Sequence, residues 1–139
     1  MKKIISILVL LMAAVTIHAQ TGSWKIKLNN KLVLATANED EVKNVKKIAA
    51  TEWKKNGTLE IHFTETDPDT WYRAFRFCDE ADNELLVTDS SSMVKIPISK
   101  LRALFKGKKK IVIYTTISPR DPNLAVRIRR VHLCTLRLQ

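Results

Sequence analysis

Apolar and polar residues alternate along much of this chain, as they do in β-strands that bury one face. Residues 23–28, SWKIKL, place three apolar residues on one side and two lysines on the other. Residues 57–65, GTLEIHFTE, repeat this alternation, and residues 109–117, KKIVIYTTI, are apolar on both sides, as in a fully covered strand. A period of two residues therefore predicts strands.

Two pairs of these runs are expected to form hairpins. Asn29-Asn30 lies between residues 23–28 and residues 31–36, KLVLAT, and adjacent asparagines favour a tight turn. Residues 74–88, AFRFCDEADNELLVT, contain two strand-like runs around a polar centre and predict a second hairpin.

An internal echo links the two halves of the chain. Residues 44–65 and 93–116 both run from a Val-Lys segment, through a short helix-like stretch and a glycine, to a strand that ends in an aromatic residue and threonine. Thr51 and Ser99 occupy the positions of helix caps. The echo predicts two related halves, each with a hairpin, a strand, a capped helical turn and a strand, followed by one extra strand. Chance resemblance between two amphipathic stretches is the alternative.

Residues 39–55 permit two interpretations. Asn38 and Glu41 have the spacing of a helix-capping pair, and Gly57 follows as a terminator, which favours one long helix. The apolar stripe of that helix would be thin, and the corresponding residues of the second half contain Pro97, which disfavours a continuous helix. We therefore expect a strand followed by a short helical turn, and a better helix in residues 99–107, SKLRALFKG, capped by Ser99.

Together these elements predict an all-β fold. Strands joined by sequence-local turns, without the spacing of βαβ units, favour a two-layer antiparallel β-sandwich of about nine strands with one or two short helical turns and two pseudo-repeated halves. A barrel is the alternative architecture.

The amino terminus resembles a cleavable export signal. Lys2 and Lys3 precede an apolar run over residues 4–17, and Ile17-His18-Ala19 supplies a small residue at a cleavage position before Gln20. The apolar run is short for a membrane-spanning helix. We expect residues 1–19 to be a cleaved signal peptide and residues 20–139 to be a single β-sandwich domain that is periplasmic or secreted.

The charge balance favours anionic partners. The chain has 24 Lys and Arg residues against 14 Asp and Glu, a formal charge of +10 that falls to +8 without Lys2 and Lys3. An anionic glycan, a lipid headgroup or another envelope protein would suit this charge. Nucleic acid is an unlikely partner, because the basic run lacks interleaved aromatic residues and an exported protein rarely meets it. The alternative is a lysine-rich surface that serves solubility.

The candidate anion-binding residues lie on the last two predicted strands. Consecutive strands are often neighbours, so their cations could merge into one patch. Alternatively, they guard an exposed sheet edge against aggregation. The six residues are Lys108, Lys109, Lys110, Arg127, Arg129 and Arg130.

Adjacent aromatic residues suggest a second hypothesis, a carbohydrate-binding module. Trp71 and Tyr72 must point to opposite faces of their strand, so one of them is expected to face outward and to be able to stack on a sugar ring. The alternative is that Tyr72 packs beneath a loop or helix.

Strand parity predicts which face each of the two cysteines, Cys78 and Cys134, occupies. Phe75 and Phe77 mark the core side of their strand, which turns Cys78 outward. A β-bulge at Arg129-Arg130 would turn Cys134 outward as well. Two cysteines on one outer face of neighbouring strands could form a disulfide in an oxidising compartment. Two buried free thiols are the alternative.

Catalytic, cofactor-binding and metal-binding motifs are not recognisable. His62 and His132 lie on separate predicted strands without neighbouring ligands at metal-site spacing. The carboxylate pairs Asp79 with Glu80 and Asp67 with Asp69 could serve a small hydrolase, but acidic residues are also expected in turns. We therefore expect an exported, non-enzymatic binding or accessory module whose unknown ligand is anionic.

Overall fold

Nine strands and two short helices make up the part of the chain that the structure describes. It is a computed structural model describing residues 22–65, 71–88, 92–125 and 127–138, so the predicted signal peptide lies outside the described residues. The elements are β1 (Gly22–Leu28), β2 (Lys31–Thr36), β3 (Val45–Ile48), α1 (Ala50–Lys54), β4 (Thr58–Glu65), β5 (Trp71–Cys78), β6 (Glu84–Thr88), β7 (Met93–Pro97), α2 (Ile98–Leu104), β8 (Lys110–Pro119) and β9 (Arg130–Leu138).

The strands form two sheets, which confirms the predicted all-β sandwich. Sheet I has the order β2-β1-β4-β7 and is antiparallel throughout. Sheet II has the order β3-β9-β8-β5-β6, and only its β3–β9 pair is parallel. Neither described helix is long and apolar enough to cross a membrane.

The topology contains the internal echo seen in the sequence. The first half places β1, β2 and β4 in sheet I and sends β3 to sheet II; the second half places β5, β6 and β8 in sheet II and sends β7 to sheet I. Each half thus contributes one strand to the other half's sheet. The extra strand β9 inserts between β8 and β3, and it is antiparallel to β8 and parallel to β3.

Alternating residues of both sheets fill the interior, as the period-two pattern predicted. Phe75 and Phe77 of β5 are fully buried, and so are Leu101 of α2 and both core isoleucines of β8, Ile111 and Ile113. α2 covers one end of the sandwich, since Ile98 and Phe105 are also buried there.

Local turn chemistry explains how β1 reverses into β2. Asn29 and Asn30 have φ angles of 50° and 67°, as a two-residue hairpin turn requires.

Residues 39–55 do not form one helix. Residues 45–48 are a strand and α1 is only five residues long, so the strand-and-turn interpretation is confirmed. The predicted caps are wrong, because Thr51 and Ser99 lie inside their helices and neither helix has a side-chain cap.

A β-bulge near the middle of β9 sets the faces of its residues. Ile113 of β8 pairs with Cys134 and Tyr114 pairs with His132, which leaves Leu133 without a partner on β8. Both Leu133 and Cys134 therefore face the core, where both are fully buried. The indole Nε1 of Trp24, on the opposite sheet, donates a hydrogen bond of 3.1 Å to the carbonyl oxygen of Leu133.

This bulge overturns the predicted placement of the cysteines. It lies at Leu133 and not at Arg129-Arg130; β9 begins only at Arg130, and Ile128 is exposed and not inward. Cys134 consequently points into the core, whereas Cys78, opposite Val112, lies on the other face of sheet II.

The two thiols are therefore buried and free, as in the alternative interpretation of the sequence. Strands β5 and β9 are separated by β8, so the two cysteines are about 10 Å apart laterally, too far for a disulfide. Burial raises the pKa of Cys134 to about 12, which keeps this thiol protonated.

A buried ion pair crosses the interior beside the Phe63 ring. Arg73 of β5 and Glu65 of β4 are 7% and 12% exposed and bind each other across the two sheets. Arg73 Nη1 also donates to Thr115 Oγ1 at 2.9 Å, and its guanidinium lies 3.6 Å from the centroid of the Phe63 ring. Phe63 in turn stacks on Trp24 at a centroid distance of 5.8 Å. Each buried charge is thus compensated, which the low dielectric of the interior demands.

The loop between β2 and β3 covers part of the outer face of sheet II. The carbonyl oxygen of Asn44 accepts a hydrogen bond of 2.8 Å from the Thr135 amide, and Glu39 Oε1 accepts one of 3.0 Å from the His132 amide. His132 is consequently only 2% exposed. Its Nε2 lies 2.8 Å from Thr135 Oγ1, and its Nδ1 has no hydrogen-bond partner among the described residues.

Replacing Trp24 by Phe should destabilise the fold by about 1–3 kcal/mol, because the Leu133 carbonyl would stay buried without its donor while the aromatic packing is largely kept. Urea denaturation of the wild type and the variant measures this difference. Trp53→Phe is the matched control, since the Trp53 indole has no described hydrogen bond. Equal stability losses in the two variants would contradict the role of the indole N–H.

His132 should make the fold less stable in mild acid. Burial lowers the pKa of His132 below 6.5, against the opposing effect of Glu41, Glu39 and Asp40. Below pH 6.5 the unfolded chain takes up a proton on this side chain that the folded chain resists, so stability is lost as the pH falls from there towards the folded-state pKa. Urea denaturation at a series of pH values should show that the free energy of unfolding falls less with acidification in His132→Gln than in the wild type. A loss in His132→Gln equal to that of the wild type would contradict this role of His132.

Candidate functional site

The six predicted anion-binding residues lie on neighbouring strands but do not form one patch. β8 and β9 pair in antiparallel fashion, as predicted, with Lys110 opposite Arg137 and Thr116 opposite Arg130. The distance along β8 from Lys110 to Thr116 is about 20 Å at roughly 3.4 Å per residue. The lysines and arginines therefore occupy opposite ends of these strands. Both strands lie inside sheet II, whose outermost strands are β3 and β6.

At the arginine end, two of the three cations have acidic partners. Arg129 pairs with Glu39. Arg130 binds both carboxylate oxygens of Asp82, at 2.9 and 3.2 Å, and lies 3.9 Å above the ring of Tyr114. These contacts fasten two loops onto the outer face of sheet II. Arg127 is exposed.

At the lysine end, Lys108 is held by a turn. Its Nζ lies 2.8 Å from Oδ2 of Asp79. The Asp79 carboxylate is buried and also accepts hydrogen bonds from the turn residues Ala81 and Asn83. Lys108 and Asn83 hold the pKa of Asp79 well below its ordinary value. This pair anchors the β5–β6 turn to the start of β8.

Lys110 belongs to a cluster that we call the cationic row: Lys47, Arg137 and Lys110. Arg137 of β9 lies between the other two, opposite Lys110 of β8 on one side and opposite Lys47 of β3 on the other. The neighbouring residues Ile48, Leu136 and Ile111 face the core, so all three cations point to the outer face of sheet II.

The cationic row has no acidic partner in the described part of the chain. None of its three side chains forms an ion pair with a described carboxylate, and Lys109 beside it has none either. Glu80 lies nearby, but its carboxylate accepts a hydrogen bond from the Lys109 amide at 3.3 Å. The row spans three strands, about 10 Å, and places like charges directly opposite each other, which is unfavourable without a bound anion.

Sequence reasoning identified Lys110 and missed Lys47 and Arg137. The bulge at Leu133 decides that Arg137 points outward, whereas the outward direction of Lys47 could be read from its apolar neighbour Ile48. The proximity of the two cations could not be read, because it requires β3 to pair with β9, which lies far away in the sequence.

The candidate sugar-stacking residues lie at the far end of β5 and differ in exposure. Trp71 is partly buried, whereas Tyr72 is 49% exposed on the outer face. The guanidinium of Arg120 lies 5.1 Å from the centroid of the Tyr72 ring, so it occupies space over one ring face.

The carboxylates considered for hydrolysis are partly engaged elsewhere. Asp79 is 1% exposed and is committed to its turn and to Lys108. Asp67 and Asp69 lie outside the described residues. Within the described ranges, no group of three or more His, Cys, Asp or Glu residues is placed to hold a metal ion.

Comparison with models of known protein families, with curated proteins and with solved structures finds no match to this chain. The arrangement of its own residues is therefore the basis for a functional hypothesis.

Replacing Arg137 by Gln should stabilise the fold by about 0.2–1 kcal/mol at low ionic strength, because the variant removes two cross-strand repulsions at once. The gain should shrink near 1 M salt, where screening acts over about 3 Å. Urea denaturation at the two salt concentrations measures both effects. Arg127→Gln removes the same charge outside the row and should leave stability nearly unchanged. A salt-independent loss of stability in Arg137→Gln would contradict repulsion within the row.

Proposed function

We propose that this protein is an exported, non-enzymatic binding module whose cationic row binds an anionic glycan. The single observation that supports the proposal is the alignment of Lys47, Arg137 and Lys110 on three adjacent strands with no described carboxylate to neutralise them. The arginines that have acidic partners serve the fold, so the unpaired row is the part of the basic surface that is left for a ligand.

The geometry of the row suits a polymer. Its side chains are aligned across three neighbouring strands of a pleated surface, which favours a ligand that lies across several strands. Bound anionic groups would relieve the repulsion between Arg137 and its two neighbours, so binding and stability should rise together.

A glycan fits this surface better than a lipid membrane. Interfacial binding to lipid combines electrostatic attraction with burial of apolar side chains. None of the exposed large hydrophobic residues in the described part of the chain lies on β3, β8 or β9. The predicted export signal also favours an envelope or extracellular polymer.

The proposal predicts that the double variant K110Q/R137Q binds a sulfated-glycan resin at least tenfold more weakly than the wild type, because it removes two of the three cations in the row. Elution salt on the resin and titration with soluble heparin measure the loss. Circular dichroism of each variant checks that the fold is kept.

The matched control is R120Q/R127Q, which lowers the net charge equally at the arginine end of β8. It should keep most of the affinity, and an equal loss in both variants would show that net charge, and not the row, governs binding. Vesicles with anionic lipid provide the contrasting ligand; tighter binding to vesicles than to heparin would overturn the glycan assignment.

The carbohydrate-binding alternative rests on the half-exposed ring of Tyr72. It predicts glycan binding that depends little on salt and is lost in Tyr72→Ala. In the same titrations, loss of binding in Tyr72→Ala with retention in K110Q/R137Q would favour stacking over the cationic row.

A further inference from the structure

A groove on the outer face of sheet I gathers polar side chains from β1 and β4. Ser23 lies opposite Thr64 and Lys25 lies opposite His62, while Lys27 continues the row along β1. Their chain neighbours Trp24, Ile26, Ile61 and Phe63 are buried in the core, so these five side chains all point outward. The groove that they line has a volume of about 300 Å³.

The two lysines give the groove a net positive charge. Neither Lys25 nor Lys27 forms an ion pair with a carboxylate in the described residues. The acid nearest in the register is Glu60, opposite Lys27, and its carboxylate is bound to Lys95 at 3.3 Å and to His62 Nε2 at 3.2 Å. That carboxylate is thus paired with Lys95 and His62 and forms no ion pair with the lysines of β1.

The hydroxyls of Ser23 and Thr64 form the other end of the groove. Each side chain on one face of a strand is about 7 Å from the next, so the groove runs from a cationic end at Lys27 and Lys25 to a hydroxyl end at Ser23 and Thr64. No hydrogen bond joins either hydroxyl to a described residue, which leaves donors and acceptors available at that end.

Size and polarity restrict the ligand class. A volume of about 300 Å³ is at the lower end of the range for small-molecule sites, enough for one sugar-sized molecule. Trp24 contributes to the lining from its backbone side, since its ring is buried, so no Trp, Tyr or Phe ring of the described residues faces the groove. The ligand must therefore be recognised through its charge and its hydroxyl groups.

We infer that this groove binds an acidic monosaccharide, with its carboxylate or phosphate at Lys25 and Lys27 and its hydroxyl groups at Ser23 and Thr64. The site is independent of the cationic row, which lies on the outer face of the other sheet. It takes a single small ligand, whereas the row would bind a polymer.

Calorimetric titration of the protein as exported tests this inference. The probes are glucuronate, glucose 6-phosphate, glucose and inorganic phosphate. At least one of the two acidic sugars should bind saturably and at least tenfold more tightly than glucose, and their order reveals whether the groove prefers a carboxylate or a phosphate. K25Q/K27Q should weaken that binding at least tenfold. S23A/T64A should weaken binding of the acidic sugar and leave inorganic phosphate unaffected.

K110Q/R137Q is the charge-matched control and should bind the acidic sugar like the wild type. The inference is overturned if neither acidic sugar saturates, if glucose binds as well as the tighter of the two acidic sugars, or if inorganic phosphate binds as tightly as that sugar. An equal loss in K110Q/R137Q and K25Q/K27Q would also overturn it, because the effect would then come from net charge. Glycan binding by the row is measured separately on the resin, so either result stands without the other.

Discussion

The bulge at Leu133 is the constraint on which both the interior and one outer surface depend. By leaving Leu133 without a partner on β8, it brings two successive residues, Leu133 and Cys134, to the core side. Every later residue of β9 changes face as a result, so Leu136 is buried and Arg137 points outward. The carbonyl that lies at the bulge is satisfied by Trp24 from the opposite sheet. A buried carbonyl without a donor would be costly, so the indole helps to fix the register.

The exchange of strands between the two halves explains why this register matters. β3 leaves the first half and joins sheet II by pairing with β9. The pair is parallel, and it places Lys47 beside Arg137. Since Arg137 lies on β9 between Lys47 and Lys110, the cationic row depends on this inserted strand for its central residue.

Charge in this protein divides into two kinds according to what surrounds it. Arg73, Lys108 and Arg130 are held by Glu65, Asp79 and Asp82, and each of these pairs joins separate elements of the fold. The lysines of the groove and the cations of the row have no such partners among the described residues. A cation that is paired with a carboxylate is not available to bind a ligand. The net charge of the sequence therefore overstates the basic surface at the arginine end of β8 and β9, and it does not show where the unpaired cations lie.

Alternation of apolar residues determined the strands, the hairpins and the inward faces of β1, β4 and β5, because burial of one face acts on each strand separately. The paired order of elements in the two halves was likewise readable, since it is local. The faces of Cys134 and Arg137, the separation of Lys110 from Arg130, and the meeting of Lys47 with Arg137 were decided only by the tertiary structure. A bulge shifts the parity of all residues beyond it, and strand pairing joins residues that are distant in the chain, so no local pattern carries either kind of information.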